Sequence, residues 1–443
     1  MNSIETLKNS MKENTIYTAI TFAPVQGFIE KSRKLRDLYG SSFLLSYLAR
    51  IICQAAENQG CQVISPAQIN VTQGTPNQII IQGSLPEKEA QKAFARGWST
   101  ITHLCKTYIE EIPDFTYHWQ RAWNAWANHT WEFFWSQYDG NEPNPVTQVR
   151  KQLNEIKRER NWIGINWQGE SSTLSGADGI AWYGMTDESH PLSYRPSEID
   201  EKINFFYEKL TQKLGEKILD SNERLSIPEL IKRVITTEKI VKQLRELNTE
   251  NPQLFPDVGD LKGFIEINRH EQNQYTGWFQ GDGDEIGKFL QAQSARDEEN
   301  ILKTFSEKMM NWGKKFPYYL YPWENQTLPN FEDRLPPLTY RDGRIIYAGG
   351  DDFLGVLFRN DPKNPLTAKE CLEWFFQFEQ IWQTHKQGIT VSIGFVWAAP
   401  NVPQRDVLQH CRETEKLAKN NGRDRLAIRI LFNSGNHLDW HCP

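Results

Sequence analysis

Two short acidic segments carry the side chains that are best suited to chemistry. In GDGDEIGKFL, Asp282 and Asp284 stand at the end of a predicted strand, and in RIIYAGGDDFLGVLF, Asp351 and Asp352 stand between two apolar runs. Adjacent carboxylates repel each other unless a cation lies between them, and Mg²⁺ and Mn²⁺ prefer such oxygen ligands. Two of these ions, about 3.5–4 Å apart, activate an attacking hydroxyl and neutralise a leaving pyrophosphate. The residue types together predict a nucleotide-binding metal site, although either segment alone also fits an ordinary turn.

Glycines flank these carboxylates, and they have two interpretations. A glycine has no Cβ, so it leaves room for a triphosphate close to the backbone. Paired glycines between two strands also suit a tight hairpin turn. Lys288 and Lys419 are the candidate counter-charges, and each also fits an ordinary surface lysine. The glycines concerned are Gly281, Gly283, Gly349 and Gly350.

The second half of the chain has the elements needed to bring the two acidic segments together. Its pattern of strands and helices reads β-α-β-β-α-β, followed by another helix and strand. In an antiparallel sheet with this connectivity, the first strand lies beside the hairpin, so Asp282 comes next to Asp351 and Asp352. The predicted elements are a strand over 275–282, a helix over 297–314, a hairpin over 344–358, a helix over 367–385, a strand over 389–398, a helix over 403–420 and a strand over 425–431.

The first half of the chain repeats this pattern without the acidic residues. Its strand pair is joined by NVTQGTPN, which has no carboxylate. The sequence therefore predicts an α+β protein with two copies of one architecture, of which only the second is equipped for chemistry. The predicted elements are a strand over 15–24, a helix over 28–58, strands near 61–65 and 78–83, and a helix over 87–111, followed by a mainly helical region over 115–250.

Tryptophan is concentrated in one part of this middle region. Seven of the 16 tryptophans fall within residues 119–167. The spacing 119/123/126 follows one helix face, and 131/135 continues it roughly. Indole rings stack on nucleic-acid bases, but an interior or subunit-contact stripe explains the same spacing. The tryptophans are Trp119, Trp123, Trp126, Trp131, Trp135, Trp162 and Trp167.

Composition narrows the remaining possibilities. The 443 residues are 39% hydrophobic and 24% charged, as in globular proteins, and no apolar run predicts a membrane span or a secretion signal. Six cysteines without C-x-x-C pairs predict a reducing, cytoplasmic location. The net charge of −6 gives no general sign of nucleic-acid binding. A local cationic segment, in which residues 31, 33, 34 and 36 are basic, fits either a phosphate contact or a solvated helix face.

Four segments of the second half resemble the palm domain of GGDEF-like cyclases: GDGDEIGKFL, IIYAGGDDFLGVLF, ITVSIGFVWA and EKLAKNNGRDRLAIRI. The last is similar to the A-K-x-x-G-R-x-R ending of that superfamily. GGDD in place of GGEEF points to the large palm-domain subunit of type III CRISPR–Cas effector complexes. In the first half, ITFAPVQGFIEKSRKLRDLYGSSFLLSYLA, PNQIIIQG and ERLSIPELIKR resemble the Cmr (III-B) branch of this family.

The resemblance implies two ferredoxin-like palms, with a first palm core over 1–115, a mainly helical middle region over 116–270 and a second palm over 271–443. The second palm would convert ATP into cyclic oligoadenylate when the complex binds target RNA. Asp282, Asp351 and Asp352 would be catalytic and would hold two Mg²⁺ or Mn²⁺ ions with the Gly283 carbonyl nearby. The residues expected to bind nucleotide are Gly283, Asp284, Lys288, Ser306, Gly349, Gly350 and Lys419.

The resemblance also implies partners, namely other effector subunits together with guide RNA and target RNA, and no membrane. Three departures from the family pattern modify the expectation. There is no His-Asp dipeptide, so nuclease activity of the HD type is not expected. The middle region lacks the family's zinc-binding cysteines, so no structural zinc is expected. The sequence ends with RLAIRILFNSGNHLDWHCP, which predicts a reduced form without the C-terminal helical domain.

Two other functions fit the same sequence. One is a largely structural subunit of the guide-RNA complex with weak or no catalysis. The other is a free-standing synthase of cyclic nucleotides that works outside any RNA complex. Retention of three carboxylates at predicted strand ends favours catalysis over the structural alternative, because unpaired like charges have no evident structural purpose there.

Overall fold

The structure is a computed structural model of the 443-residue chain. It describes the ranges 15–71, 74–140, 143–159, 164–167, 169–185, 196–247, 267, 273–293, 297–321, 341–359 and 361–442. Of the tryptophans singled out above, Trp162 lies outside these ranges. Within them, no helix combines the length and the apolar character that crossing a bilayer requires.

An antiparallel sheet of order β2-β3-β1-β4 forms the first palm. This order with β-α-β-β-α-β connectivity is that of a ferredoxin-like fold. Alternation along β1 divides its side chains between two cores, so Ile20 and Phe22 face the helices α2 and α3 while Tyr17 and Ala19 face α5. The elements are β1 Ile16–Ala23, α1 Gln26–Glu30, α2 Leu35–Asn58, β2 Gln62–Ser65, β3 Ile79–Gln82, α3 Glu87–Glu110, α4 Gln120–His129, β4 Glu132–Asp139 and α5 Pro145–Arg158.

Strand β4 corrects the sequence-based prediction for the tryptophan-rich stretch. Trp135 lies on this strand, which pairs with β1 along its whole length, and not on a helix. A spacing of four residues returns to the same side of a strand as well as of a helix, so the 131/135 spacing did not distinguish the two. The first sheet also extends past residue 115, where the first palm was predicted to end. Trp119 and Trp123 are buried, as expected for an interior stripe.

The predicted helix over 28–58 is interrupted at residues 31–34, so α1 and α2 are separate helices. Three of the four basic side chains around this break are bound within the chain, whereas Arg33 is exposed. The three contacts favour neither the solvated face nor the phosphate contact considered above. Their partners come from the middle region: Lys31 binds Asp178 at 2.8 Å, Lys34 binds Glu223 at 3.3 Å, and Arg36 donates to Thr236 Oγ1 at 2.8 Å.

The middle region packs its helices against the first palm. Helix α7 has Ser226 as its N-cap, Glu229 as the partner in a capping box and a proline in its first turn. It approaches α2 so closely at Gly40 that a Cβ there would lie 2.1 Å from the Lys232 carbonyl oxygen. The helices are α6 Pro196–Leu214, α7 Ile227–Val234 and α8 Glu238–Leu247.

The second sheet repeats the arrangement of the first and extends it. Its strand order is β11-β10-β9-β5-β8-β7-β6, and the part β9-β5-β8-β7 has the same connectivity as the whole first sheet. The prediction of an α+β fold with two palms is confirmed, whereas α9 and β11 were not anticipated. The elements are β5 Thr276–Gly283, α9 Ile286–Gln293, α10 Glu298–Lys315, β6 Leu320–Tyr321, β7 Arg341–Ala348, β8 Asp352–Leu357, α11 Ala368–Phe375, α12 Phe378–Trp382, β9 Val391–Ala398, α13 Gln404–Asn420, β10 Arg425–Leu431 and β11 His437–Cys442.

The two palms are joined by a common core and by polar contacts. One cluster of buried apolar side chains includes Leu44 and Leu48 of α2 together with Ile346 and Leu354 of the second sheet. At the other side of the first sheet, the carboxylate of Glu298 accepts hydrogen bonds of 2.9 Å from the first free N–H groups of α5. A carboxylate at a helix N-terminus satisfies donors that have no partner in the helix. These contacts set the second palm at a defined position against the first.

Candidate active site

Three carboxylates come together where the end of β5 lies beside the beginning of β8. Asp282 and Asp352 are directly opposite in the register of the two strands, and the Gly283 N–H donates to the Asp351 carbonyl at 3.1 Å. The hairpin between β7 and β8 is closed by a 3.2 Å hydrogen bond from the Gly349 N–H to the Asp352 carbonyl. The fold therefore brings the two acidic segments together by strand pairing.

The two hairpin carboxylates lack sufficient positive charge around them. Burial and repulsion from Asp282 raise the pKa of the Asp351 carboxyl to about 6. Burial, Asp282 and Asp351 raise the pKa of Asp352 well above its usual value. The Tyr347 hydroxyl donates to both oxygens of Asp352 at 3.3 Å. A carboxylate pair whose charge is penalised in this way is typical of sites that bind a cation or perform acid–base chemistry.

Lys419 is the main cation at this site, and it is bound to Asp282. Its ammonium also donates to Glu415 at 2.7 Å, one turn earlier on α13. Burial alone lowers the pKa of Lys419, but the hydrogen bonds to Asp282 and Glu415 outweigh burial and raise the pKa above its ordinary value. Lys419 therefore stays charged and compensates one carboxylate of the group.

Arg150 brings a second positive charge, and it comes from the first palm. It lies on α5, where its Nε donates to the Gln78 side chain at 3.1 Å. Its charge lowers the pKa of Asp351, as does that of Lys419, but less than burial and Asp282 raise it. The first palm thus contributes to the electrostatics of the site although it has no acidic residues of its own there.

A cavity of about 290 Å³ lies between the palms and reaches the hairpin carboxylates. Its walls include Ser42, Ser46 and Thr75 from the first palm and Asp351, Asp352 and Arg412 from the second. Ser46 accepts a hydrogen bond of 2.9 Å from the Thr75 N–H, which fixes the loop beside the hairpin. The cavity has both apolar and polar walls, as small-molecule sites do.

The glycines of the hairpin have a structural reason that the sequence did not show. A Cβ on Gly349 would lie 2.9 Å from the Gly74 carbonyl carbon, because the hairpin packs against the backbone of the loop in the first palm. Gly350 has a φ of +97°, which L residues rarely adopt. The Phe353 ring fills the space beside Gly281, where a Cβ would lie 2.2 Å from the ring. Packing and turn geometry therefore account for these glycines, and their contact with a nucleotide stays a prediction.

The remaining predicted residues are not part of this group in the structure. Asp284 is buried and accepts hydrogen bonds from Thr390, Ser392 and the Asp424 N–H at 2.7–2.9 Å. Its side chain thus holds neighbouring segments together. Lys288 is exposed and pairs with Glu285 at 2.6 Å on its own helix.

Ser306 lies on α10, where it is buried against the first palm. Its Oγ accepts a 2.9 Å hydrogen bond from the Ala67 N–H, so the described contact of this residue is with the chain itself. Ser306 is expected to bind nucleotide on the family resemblance alone, and this role stays a prediction.

Sequence reasoning also missed three residues of the site: Arg150, Tyr347 and Arg412. No local motif marks Arg150, because only the packing of α5 against the second palm brings it near Asp351. Tyr347 stands four residues before Asp351 within the hairpin motif, and Arg412 stands seven residues before Lys419, on the same helix face. These two spacings could have indicated from the sequence that Tyr347 and Arg412 lie near the site.

The donor chemistry at the strand ends suits a hard divalent cation, because three carboxylates lie close together there and two of them are short of positive charge. Among the described residues, however, no group of three or more His, Cys, Asp or Glu side chains is arranged so as to hold a metal ion. Asp282 turns to Lys419, and Asp352 is bound by Tyr347. The residues present fit a metal in kind, and their side chains would have to leave these partners to surround it.

The fold and the site define a protein with two palms, one of which carries a GGDD hairpin. Two family models match the chain: "Cas10/Cmr2, second palm domain" over residues 275–427 and "CRISPR-associated protein Cmr2, N-terminal" over residues 17–103. Together they cover more than half of the sequence, on both palms. The chain belongs to the Cas10/Cmr2 family.

Solved structures with similar folds share little sequence with the chain. The Csm1–Csm4 cassette in complex with cA4 is 12% identical, with 96% of this chain and 56% of that chain covered and a TM-score of 0.45. Csm1 in T. onnurineus is 13% identical, with 94% and 53% covered and a TM-score of 0.44. The cassette in complex with one ATP is 13% identical, with 93% and 54% covered and a TM-score of 0.42. This chain thus spans about half the length of each. No curated protein matches it.

Proposed function

We propose that the chain is the nucleotidyltransferase subunit of a type III CRISPR effector complex and converts ATP into cyclic oligoadenylate when target RNA binds. The observation that carries this proposal is the meeting of Asp282, Asp351 and Asp352 at the ends of paired strands, at the edge of the cavity between the palms. Membership of the Cas10/Cmr2 family supports it. The predicted partners are other effector subunits, guide RNA and target RNA.

In this reaction the 3′-hydroxyl of one ATP attacks the α-phosphate of another, a 3′–5′ phosphodiester forms, and pyrophosphate leaves. Asp282, Asp351 and Asp352 would hold Mg²⁺ or Mn²⁺, which supplies charge neutralisation and activation of the hydroxyl when bound. The chain's own residues position the reactants, which is most of what phosphoryl transfer requires of a protein. Lys419 keeps its positive charge and is close enough to the carboxylates for a phosphate to compete with Asp282 for it.

A largely structural role is the second candidate, and one observation favours it. Asp282 is paired with Lys419, and the described residues include no assembled metal-binding group. A palm whose acidic residues were all neutralised internally would serve assembly alone. The raised pKa values of Asp351 and Asp352 argue for the catalytic proposal, because Lys419 leaves these two carboxylates under-compensated.

Incubation with labelled ATP and Mg²⁺ or Mn²⁺ distinguishes the candidates. The chain is assayed alone and within its guide-RNA complex, with and without target RNA, and the products are resolved by chromatography. Product that depends on target RNA is expected. Absence of product under every condition contradicts the proposal and leaves the structural role. Product from the chain alone, independent of RNA, favours a free-standing synthase.

The double substitution Asp351→Ala and Asp352→Ala should abolish synthesis and leave assembly of the complex intact. Asp406→Ala is the matched control, since this carboxylate lies on α13 and pairs only locally with Arg405 at 3.3 Å among its described contacts. The control should retain full activity. Synthesis by the double variant would show that the site is elsewhere.

A further inference from the structure

The cavity between the palms contains a guanidinium group that the proposed reaction has not yet used. Arg412 lines this cavity together with Asp351 and Asp352. It stands on α13 two turns before Lys419, so the two cations lie on the same face of that helix. Any anion that enters the cavity meets two carboxylates, so it also needs positive charge in the cavity wall to bind there.

The described partner of Arg412 belongs to the other palm. A guanidinium nitrogen lies 3.0 Å from Glu30 Oε1, at the end of α1, and the two side chains are 19% and 36% exposed. Gln26 and Ile29 of the same helix also line the cavity. An ion pair with this degree of exposure contributes about 0–1 kcal/mol to stability. A stronger partner can therefore displace Glu30 from Arg412.

Phosphate is such a partner. The planar guanidinium binds phosphate oxygens in a bidentate way, and a triphosphate carries several negative charges where Glu30 offers one. We infer that Arg412 binds the phosphates of a nucleoside triphosphate in the cavity and that Glu30 competes with the nucleotide for Arg412. This inference rests on the proposed function. The ion pair across the palms then acts as an internal competitor that lowers nucleotide affinity.

Because Glu30 and the nucleotide compete for Arg412, substitutions of Arg412 and of Glu30 should change ATP affinity in opposite directions. Arg412→Ala should weaken ATP binding about tenfold, which corresponds to about 1.4 kcal/mol. Arg412→Lys should fall between the wild type and the alanine variant, because an ammonium keeps the charge and loses the bidentate geometry. Glu30→Gln should strengthen ATP binding about threefold, because the competitor has lost its charge. Adenosine, which has no phosphate, should bind all variants equally.

The experiment is calorimetric titration of the full chain with a non-hydrolysable ATP analogue and with adenosine, in Mg²⁺ buffer. Arg405→Ala is the matched control, since this arginine is on the same helix, is 53% exposed and pairs with Asp406 beside it. The control should bind as the wild type does. Thermal unfolding of each variant confirms that it is folded.

Each outcome decides between the alternatives. The inference is overturned if Arg412→Ala binds the ATP analogue as tightly as the wild type, or if it weakens adenosine equally. It is also overturned if Glu30→Gln weakens ATP binding, since the ion pair would then support the cavity structurally. If the wild type binds no ATP analogue at all, the proposed function itself fails, and this result is distinct from a failure that is confined to Arg412.

Discussion

The first palm contains a fully buried carboxylate, Asp37, and the second contains the half-buried pair Asp351 and Asp352, and the charges of the two groups are compensated in opposite ways. In the first palm, Asp37 accepts hydrogen bonds from the Arg233 guanidinium at 2.7 and 3.2 Å, and Arg233 also binds Glu223. Burial by itself raises the pKa of Asp37, but Arg233 outweighs it, so that the pKa lies below the usual range. In the second palm, Asp351 and Asp352 have raised pKa values because burial and mutual repulsion prevail.

The opposite pKa shifts distinguish a carboxylate that stabilises the fold from carboxylates whose charge needs a bound ligand for compensation. Asp37 also accepts from the N–H groups of Arg33 and Lys34 at 2.9 Å, so it fixes the break before α2 and ties it to the middle region. Groups of the chain itself thus provide the hydrogen bonds and the positive charge that the Asp37 carboxylate needs. The hairpin carboxylates cost stability where they stand, and such a cost persists at sites of function. The comparison predicts opposite responses to neutralisation.

The largest expected effect comes from removing the cation of the first group. Arg233→Ala leaves Asp37 and Glu223 buried without their partner, and breaking a buried pair in this way costs about 3–5 kcal/mol. We expect the free energy of unfolding, measured with urea, to fall by this amount. Arg359→Ala is the control, since Arg359 also binds two carboxylates, Asp342 at 2.8 Å and Glu370 at 3.1 Å, but is 18% exposed.

The control variant should lose about 1 kcal/mol or less, as for pairs at the surface. If Arg233→Ala cost no more than Arg359→Ala, the first group would not be the structural element described here. The carboxylates of the first palm would then not differ from those of the second palm in their contribution to stability.

A smaller effect concerns Lys232, which is buried beside the same group and donates to the Lys31 carbonyl at 2.8 Å. Burial lowers its pKa from 10.5 to about 8. Between these values the unfolded chain binds more protons than the folded chain, so stability rises with pH. The rise should be about 2 kcal/mol between pH 8 and pH 10. Urea unfolding at stepwise pH measures it.

Lys232→Met keeps the length of the side chain and has no proton to release. Its stability should therefore not show this rise, and the difference between the two profiles isolates Lys232 from other groups that titrate. Equal profiles for the variant and the wild type would mean that the lysine is hydrated in the folded chain.

Most elements of the second palm could be predicted from sequence, because its strands are short apolar runs bounded by turn residues. Strand β4 could not be, since aromatic residues four apart fit both a helix and a strand, and only pairing with β1 decides. The break at residues 31–34 was missed for a similar reason. It is fixed by Asp37 and by the middle region, far away in the sequence.

The site was predictable to the extent that local motifs define it. The strand ends brought Asp282 to Asp352 as the connectivity required. The roles of the glycines were not predictable, because Gly349 packs against a loop nearly three hundred residues earlier. Arg150 and the Glu30–Arg412 pair depend likewise on how one palm lies on the other. The residue roles at the site stay predictions until the variants are assayed.

The smallest expected effect has the opposite sign and tests the second half of the comparison. Asp352→Asn preserves shape and can still accept from the Tyr347 hydroxyl, but it removes a charge that burial and Asp282 disfavour. In buffer with EDTA, we expect the variant to be about 1 kcal/mol more stable than the wild type, whereas Asp37→Asn should be less stable. Mg²⁺ should stabilise the wild type more than Asp352→Asn, because a ligand that binds the folded state raises its stability. Thermal unfolding with and without Mg²⁺ measures both differences, and a loss of stability in Asp352→Asn like that in Asp37→Asn would show that both palms use their carboxylates for structure.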